Sequence, residues 1–214
     1  MADLATVLNA QLDADSPCRF MTDRPGQDDS TAIMTLEDRA VAVHVTADGD
    51  YLCEFWRKDR NQARGTTADA SSVVDASCLW VEGVGLSRLS AAHPFVEYFD
   101  LELAYERGEA VEYQWRVVLR EVEDDFHGYG ELVALAAEEP VLRRRFPRLG
   151  HRFVLFENAD SKDPLFSIFM IRPEWYATYT PDGSAFDFEG TAREAVAMMT
   201  QAIRTRGADH GKLP

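Results

Sequence analysis

Val41-Ala-Val-His-Val45, Thr46-Ala-Asp-Gly-Asp50 and Tyr51-Leu-Cys-Glu-Phe-Trp56 follow one another without a break. Val41, Val43 and Val45 alternate with Ala42 and His44, a period of two that puts branched side chains on one face of a strand. Asp48-Gly49 is a hairpin turn signal, and the apolar run that follows returns as a partner strand. The stretch therefore predicts an antiparallel sheet. On its N-terminal side Thr31–Leu36 reads as a further strand, and residues 16–30, with Pro17, Pro25 and Gly26, read as a loop around a short strand at 18–22. Residues 2–14, with Leu4, Val7, Leu8 and Leu12, have helical spacing. On the C-terminal side a polar loop is expected, then a helix capped by Thr66 or Thr67 and running to about Trp80.

The period changes in the middle of the chain. Residues 86–146 carry almost no alternation and read as a helical insert: Leu86–Ala92, Ala110–Val122, Glu131–Glu139 and a last turn opened by Pro140. Strands resume at Phe153–Phe156, Leu165–Ile171 and Trp175–Thr180. Pro181-Asp-Gly-Ser184 turns the chain into Ala185–Phe188, and Thr191 caps a final helix. The fold expected is α+β, with antiparallel strands in two groups, about 31–57 and 151–189. These form a single domain over 1–206, followed by a flexible tail at 207–214. Each half also reads as strand, Asp-Gly turn, strand, Gly-Thr and helix, at Gly65-Thr66-Thr67 and at Gly190-Thr191. This echo is either a duplicated hairpin–helix unit or a common arrangement met twice.

Charge narrows the partners. The 214 residues hold 22 Lys and Arg against 37 Asp and Glu, a net charge of -15, which argues against a nucleic-acid or anionic-membrane partner. That charge is polarised. From Glu97 to Glu139 thirteen acids face three arginines, whereas residues 140–152 hold five arginines and no acid. The N-terminal stretch has neither a basic region nor an unbroken apolar one, and no run is long enough to span a bilayer, so a cytoplasmic protein is expected. Cys18, Cys53 and Cys78 are widely spaced, and the five histidines share no ligand spacing, so neither a disulfide framework nor a metal centre is expected. No glycine-rich phosphate loop, dinucleotide fingerprint or nucleophile elbow occurs, and no cofactor is expected.

Chemistry must then come from scattered side chains. His151 opens a strand between Arg148 and Arg152, downstream of Arg143-Arg144-Arg145. An imidazole among guanidinium groups is either a neutral acid/base beside an anion or a turn residue bonded to backbone. Arg148 and Arg152 are the matching oxyanion or carboxylate anchors. Glu54 shares a strand face with Leu52 and Trp56 and is a pocket candidate, with Arg57 as a possible partner. His44 faces either solvent or a pocket on the second face of the first sheet. Trp175 and Tyr179 stand on one parity of an aromatic-rich strand and are ligand-binding candidates, set against cross-strand core packing, the commoner use of such residues.

The segment Leu132-Val-Ala-Leu-Ala-Ala-Glu-Glu-Pro-Val-Leu-Arg-Arg-Arg-Phe-Pro147, with His151 and Phe153-Val-Leu-Phe156, resembles an actinobacterial family with a domain of unknown function, labelled natural product biosynthesis protein. Gly65-Thr66-Thr67, Trp80 with Gly83 and Leu86, Ala92-His-Pro-Phe95 and Gly190-Thr-Ala-Arg-Glu-Ala195 are similar to its other recurring points, over about residues 40–206. Where that family often has Ser-His-Gly, this chain has Gly150-His151-Arg152, so no role carries over to the flanking residues. The resemblance implies a secondary-metabolism setting and supplies no reaction. Two functions are expected in consequence. One is an accessory protein that binds a small molecule or peptide, with a cofactor-free cyclase, isomerase or dehydratase as its catalytic form. The other is an acidic binding module, immunity or regulatory, that engages a basic protein partner.

Overall fold

The hairpin forms at Asp48-Gly49. Gly49 takes φ 87°, a left-handed value, and Thr46 N–H donates to the Asp50 carbonyl at 2.8 Å. A computed structural model describes residues 3–22, 30–124, 126–179 and 186–210 of the protein. The expected Pro25-Gly26 and Pro181-Asp-Gly-Ser184 turns and the end of the tail, 211–214, lie outside those residues. The chain divides into two compact units, 1–106 and 107–214, each with its own apolar core. The helical stretch expected at 86–146 is thus shared between them.

The first unit runs α1 (Leu4–Asn9), β1 (Phe20–Thr22), β2 (Thr31–Leu36), β3 (Arg39–Val45), β4 (Tyr51–Arg57), β5 (Arg60–Thr67), α2 (Ala70–Val81), α3 (Leu86–Ala92), β6 (Val96–Glu97) and α4 (Asp100–Glu106). Its sheet is antiparallel in the order β1-β2-β3-β4-β5-β6. Val41, Val43, Cys53 and Phe55 are fully buried against Leu8, Val73, Trp80 and Leu89 from the helices. The next side chains along β3 and β4, Ala42, His44, Glu54 and Trp56, are half-buried on the opposite face.

Two expectations fail here, for one reason. The segment taken as a polar loop is strand β5, and α2 begins after it, capped by Asp69 through Ser71 and Ser72 N–H rather than by Thr66 or Thr67. A bulge hides the strand. Phe55 pairs with Ala63 and Trp56 with Asn61, so Gln62 is extra, and both Gln62 and Ala63 are buried. Gly65 is not a cap either. A Cβ there would stand 1.9 Å from the Phe95 carbonyl oxygen, so glycine admits the approach of β6. The echo of the two halves shifts as well: two strands separate Asp48-Gly49 from α2, whereas one separates Gly183 from the last helix.

The C-terminal end of α2 is locked to the sheet. The Trp80 indole N–H donates to the carbonyls of Ala40 (3.1 Å) and Trp56 (3.0 Å). Arg39 lies 4.2 Å over that indole and donates to the Trp80 and Val84 carbonyls, at 3.0 and 2.8 Å.

The second unit runs α5 (Ala110–Asp124), a 3-10 turn (His127–Tyr129), α6 (Gly130–Glu138), α7 (Pro140–Arg143), β7 (Phe146–Leu149), β8 (Phe153–Phe156), β9 (Pro164–Arg172), β10 (Trp175–Tyr179), β11 (Phe186–Gly190) and α8 (Ala192–His210). Its sheet is the antiparallel meander β11-β10-β9-β8-β7. β7 falls in the arginine-rich segment that alternation did not reveal, and α8 continues to His210. Phe153, Leu155, Ile168 and Tyr176 pack against Trp115, Val118, Leu132 and Met199. Thr191 caps α8 as expected, in a capping box. Glu194 N–H donates to its hydroxyl oxygen at 3.4 Å, and the Glu194 carboxylate accepts from Thr191 N–H at 2.9 Å.

Two outcomes follow from these ties. Arg39→Met removes two charge-assisted hydrogen bonds and is expected to lower unfolding stability by about 2–3 kcal/mol, read from denaturant midpoints at unchanged slope. The hydrogen bonds from Thr191 backbone and side chain hold the Glu194 carboxyl below its ordinary 4.5. Its stabilisation is then complete above that value and is lost as pH falls through the lower, folded pKa. Glu194→Gln, which cannot ionise, should lower the neutral plateau of the stability curve slightly and flatten its acid limb below about pH 4.5.

Candidate functional site

Alternation in β3 puts two small residues, Ala40 and Ala42, on the face of the first sheet away from the helices. Register sets larger neighbours around them: Ala42 pairs with Ile33 and Glu54, Ala40 with Thr35 and Trp56, and His44 with Thr31 and Leu52. Small residues flanked by large ones leave a recess. The resulting trough, about 540 Å³, is floored by Ala40 and Ala42 and walled by Ile33, His44, Glu54 and Trp56. That volume is in the range of about 300–1,000 Å³ typical of small-ligand sites.

Three polar side chains cross this trough in line. Thr31 Oγ1 lies 3.1 Å from His44 Nδ1, and His44 Nε2 lies 3.6 Å from Glu54 Oε2. With the proton on Nε2, facing Glu54, the Thr31 hydroxyl donates to Nδ1; the other tautomer reverses that bond. The imidazole and carboxylate remain 39% and 33% exposed, enough for a ligand to reach both. The arrangement can accept and return a proton without a metal or cofactor.

Glu54 and Trp56 also wall a second recess of about 420 Å³ toward β5, with Asn61, Arg64, Tyr98 and Phe99. Phe99 is 70% exposed. Beside it Arg60 holds Glu102 through two 2.8 Å hydrogen bonds and stacks 3.4 Å from the Tyr105 ring, fixing α4 against β5.

The residues singled out in the sequence separate. Glu54 lies in the first unit and faces His44, while Arg57 holds Asp38 at 3.0 Å. The remaining five lie in the second unit. His151 is exposed in the β7–β8 turn, and its carbonyl accepts the Tyr129 hydroxyl at 3.0 Å. Arg148 spreads over Phe156 and Phe146, 4.7 and 5.6 Å from their centroids, and Arg152 lies 5.5 Å from Phe169. Both arginines are exposed, with their guanidinium groups stacked toward these rings. Trp175 donates its indole N–H to Glu189 at 2.8 Å and lies under Arg172. Tyr179 is in β10, opposite Phe186, and its side chain lies outside the described residues.

Sequence reasoning missed Thr31 because only the β2–β3 register sets it opposite His44. It missed the two alanines because a small residue in a strand carries no chemical signal of its own. Burial pushes the Cys53 thiol and the Tyr176 phenol up to about 12. The two buried phenols act as struts instead. Tyr176 donates to the Gly128 carbonyl at 2.7 Å, and Tyr129 accepts Met170 N–H at 3.0 Å while donating to His151.

Residues 109–205, α5 through most of α8, match a family of unknown function, DUF6193. No curated protein and no solved structure matches the chain. Among the described residues no helix is long and apolar enough to cross a membrane.

Tyr129→Phe tests what holds the His151 turn. Losing both bonds of one buried hydroxyl should cost about 1–3 kcal/mol and speed hydrogen exchange at the Met170 amide while sparing the first unit.

Proposed function

We propose that the protein binds a small molecule or short peptide in the trough of its first sheet, as an accessory protein of natural-product biosynthesis. The observation that carries the binding reading is the Thr31–His44–Glu54 line over an alanine floor. A half-buried imidazole between a hydroxyl and a carboxylate supplies both hydrogen-bond roles beside apolar walls, the usual composition of a small-ligand site. In the catalytic form of this reading, a cofactor-free isomerase, cyclase or dehydratase, His44 takes the substrate proton and Glu54 stabilises the imidazolium. Thr31 then sets the tautomer. The secondary-metabolism setting is supported by the resemblance of the Leu132–Phe156 segment alone.

The test is a saturation-transfer NMR screen of a library of small amides and aromatic acids against the wild type, Ala42→Leu and His151→Ala. Ala42→Leu fills the trough on a half-exposed face, so the fold is retained. Compounds that bind the trough should lose affinity by about tenfold or more in Ala42→Leu and be untouched in His151→Ala. Where turnover is found, His44→Ala should abolish it and also weaken binding, since the imidazole lines the trough. Binding that ignores Ala42→Leu but disappears with His151→Ala would move the site to the arginine-flanked turn of the second unit. A protein that takes up none of these compounds but captures basic proteins in a salt-sensitive way would establish the acidic binding module instead.

A further inference from the structure

Two hydroxyls inside helices bond back along their own helix. Ser77 Oγ donates to the Val73 carbonyl at 2.7 Å, and Thr205 Oγ1 donates to the Gln201 carbonyl at 3.0 Å. Thr200, in the middle of α8, departs from this. Only 7% exposed, its hydroxyl is buried and makes no hydrogen bond. A buried hydroxyl without a partner is unfavourable and calls for an acceptor or donor from outside the chain.

Thr200 lines a cleft of about 640 Å³ between α8 and the C-terminal end of α6. Arg193, Val196, Ala197, Gln201 and Arg204 follow it at helical spacing along one face of α8, and Leu135, Glu138 and Glu139 form the opposite wall. The polar groups are not spread evenly. Arg204 is engaged by Glu139 at 3.3 Å, which occupies that end of the cleft. Arg193, at the other end, makes no ion pair among the described residues. Arg193 and Thr200 are seven positions apart, a rise of about 10 Å along the helix, and Val196, Ala197 and Leu135 offer apolar surface between them.

We propose that this cleft is a second binding site, for a short carboxylate-bearing ligand of acyl-dipeptide size. Arg193 takes the carboxylate in a forked pair of hydrogen bonds, the apolar side chain lies on Val196 and Leu135, and an amide group of the ligand meets the Thr200 hydroxyl. The site is independent of the trough and lies wholly in the segment that matches the family of unknown function.

The experiment titrates the full chain with N-acetyl-alanyl-leucine, and with its C-terminal amide as the uncharged control, following backbone amide shifts by NMR. Saturable shifts should cluster at residues 193–205 and 135–139, and the amide should bind about tenfold more weakly, one charge-assisted contact having been lost. Arg193→Gln should weaken the acid by a similar factor. Thr200→Val keeps the side-chain volume and removes only the hydroxyl; with a melting temperature no lower than that of the wild type, it too should lose about tenfold in affinity. Binding that survives Ala42→Leu and fails in Thr200→Val separates this cleft from the trough. The proposal is overturned if no shifts saturate up to the solubility of the probe, or if acid and amide bind alike. It is equally overturned if folded Thr200→Val binds as the wild type does, since a trapped water then serves the hydroxyl.

Discussion

A tryptophan indole that donates to two strand carbonyls governs the first unit. Trp80, 2% exposed, bonds to Ala40 and Trp56, which are cross-strand partners on β3 and β4. Its N–H must find an acceptor because burying it unpaired is costly, and the bulge between Phe55 and Trp56 is where the β4–β5 ladder shifts register. Arg39 completes the arrangement by stacking on the indole and taking the last carbonyls of α2. The helix end, the bulge and the trough floor are therefore one mechanical unit. Moving Trp80 moves the backbone of Ala40 and Trp56, and with it the walls around His44 and Glu54.

The second unit solves the same problem with different parts. Trp115 on α5 is fully buried, donates its indole N–H to the Arg145 carbonyl at 2.9 Å, and has Arg143 5.5 Å from its ring. Each unit thus has a meander, a helix that follows it and a buried tryptophan tied to backbone beneath an arginine. The arrangement is shared, but the pairing is not. Trp80 lies on the helix after its meander, whereas Trp115 lies on the helix before it, so the likeness is one of physical solution rather than of a displaced copy.

Much of this was legible because burial follows alternation. The face carrying Val41 and Val43 is buried as its pattern requires, and Thr191 caps α8 as its spacing to Glu194 requires. What escaped was structure whose signal is not periodic. β5 is interrupted by an extra Gln62. β6 is two residues long and is admitted by a missing Cβ at Gly65. β7 is four residues long and includes a proline and an exposed arginine. The site was half legible for the same reason. Glu54 and His44 are recognisable chemistry on alternate faces of good strands, but their meeting depends on the β3–β4 register, in which Glu54 pairs with Ala42 and so stands diagonal to His44. The arginines around His151 are legible as charge, but the rings their guanidinium groups stack on are not: Arg148 lies over Phe156 and Arg152 near Phe169.

The most informative positions are those where the chain forgoes local stabilisation. Alanine is a poor strand residue, disfavoured relative to valine or isoleucine by up to about 1 kcal/mol. Yet Ala40 and Ala42 stand on the outward face of a central strand, either side of the well-packed Val41, where a larger apolar residue would fit the half-buried surface. Thr200 likewise gives up the back-bond that Ser77 and Thr205 make. In both places the omission opens space beside polar groups: His44 and Glu54 in one, Arg193 and Gln201 in the other. A sequence shaped only for stability would fill the first with a branched side chain and the second with valine. Small and unsatisfied groups at these two points, with tight packing around both, are the features on which the two proposed sites rest.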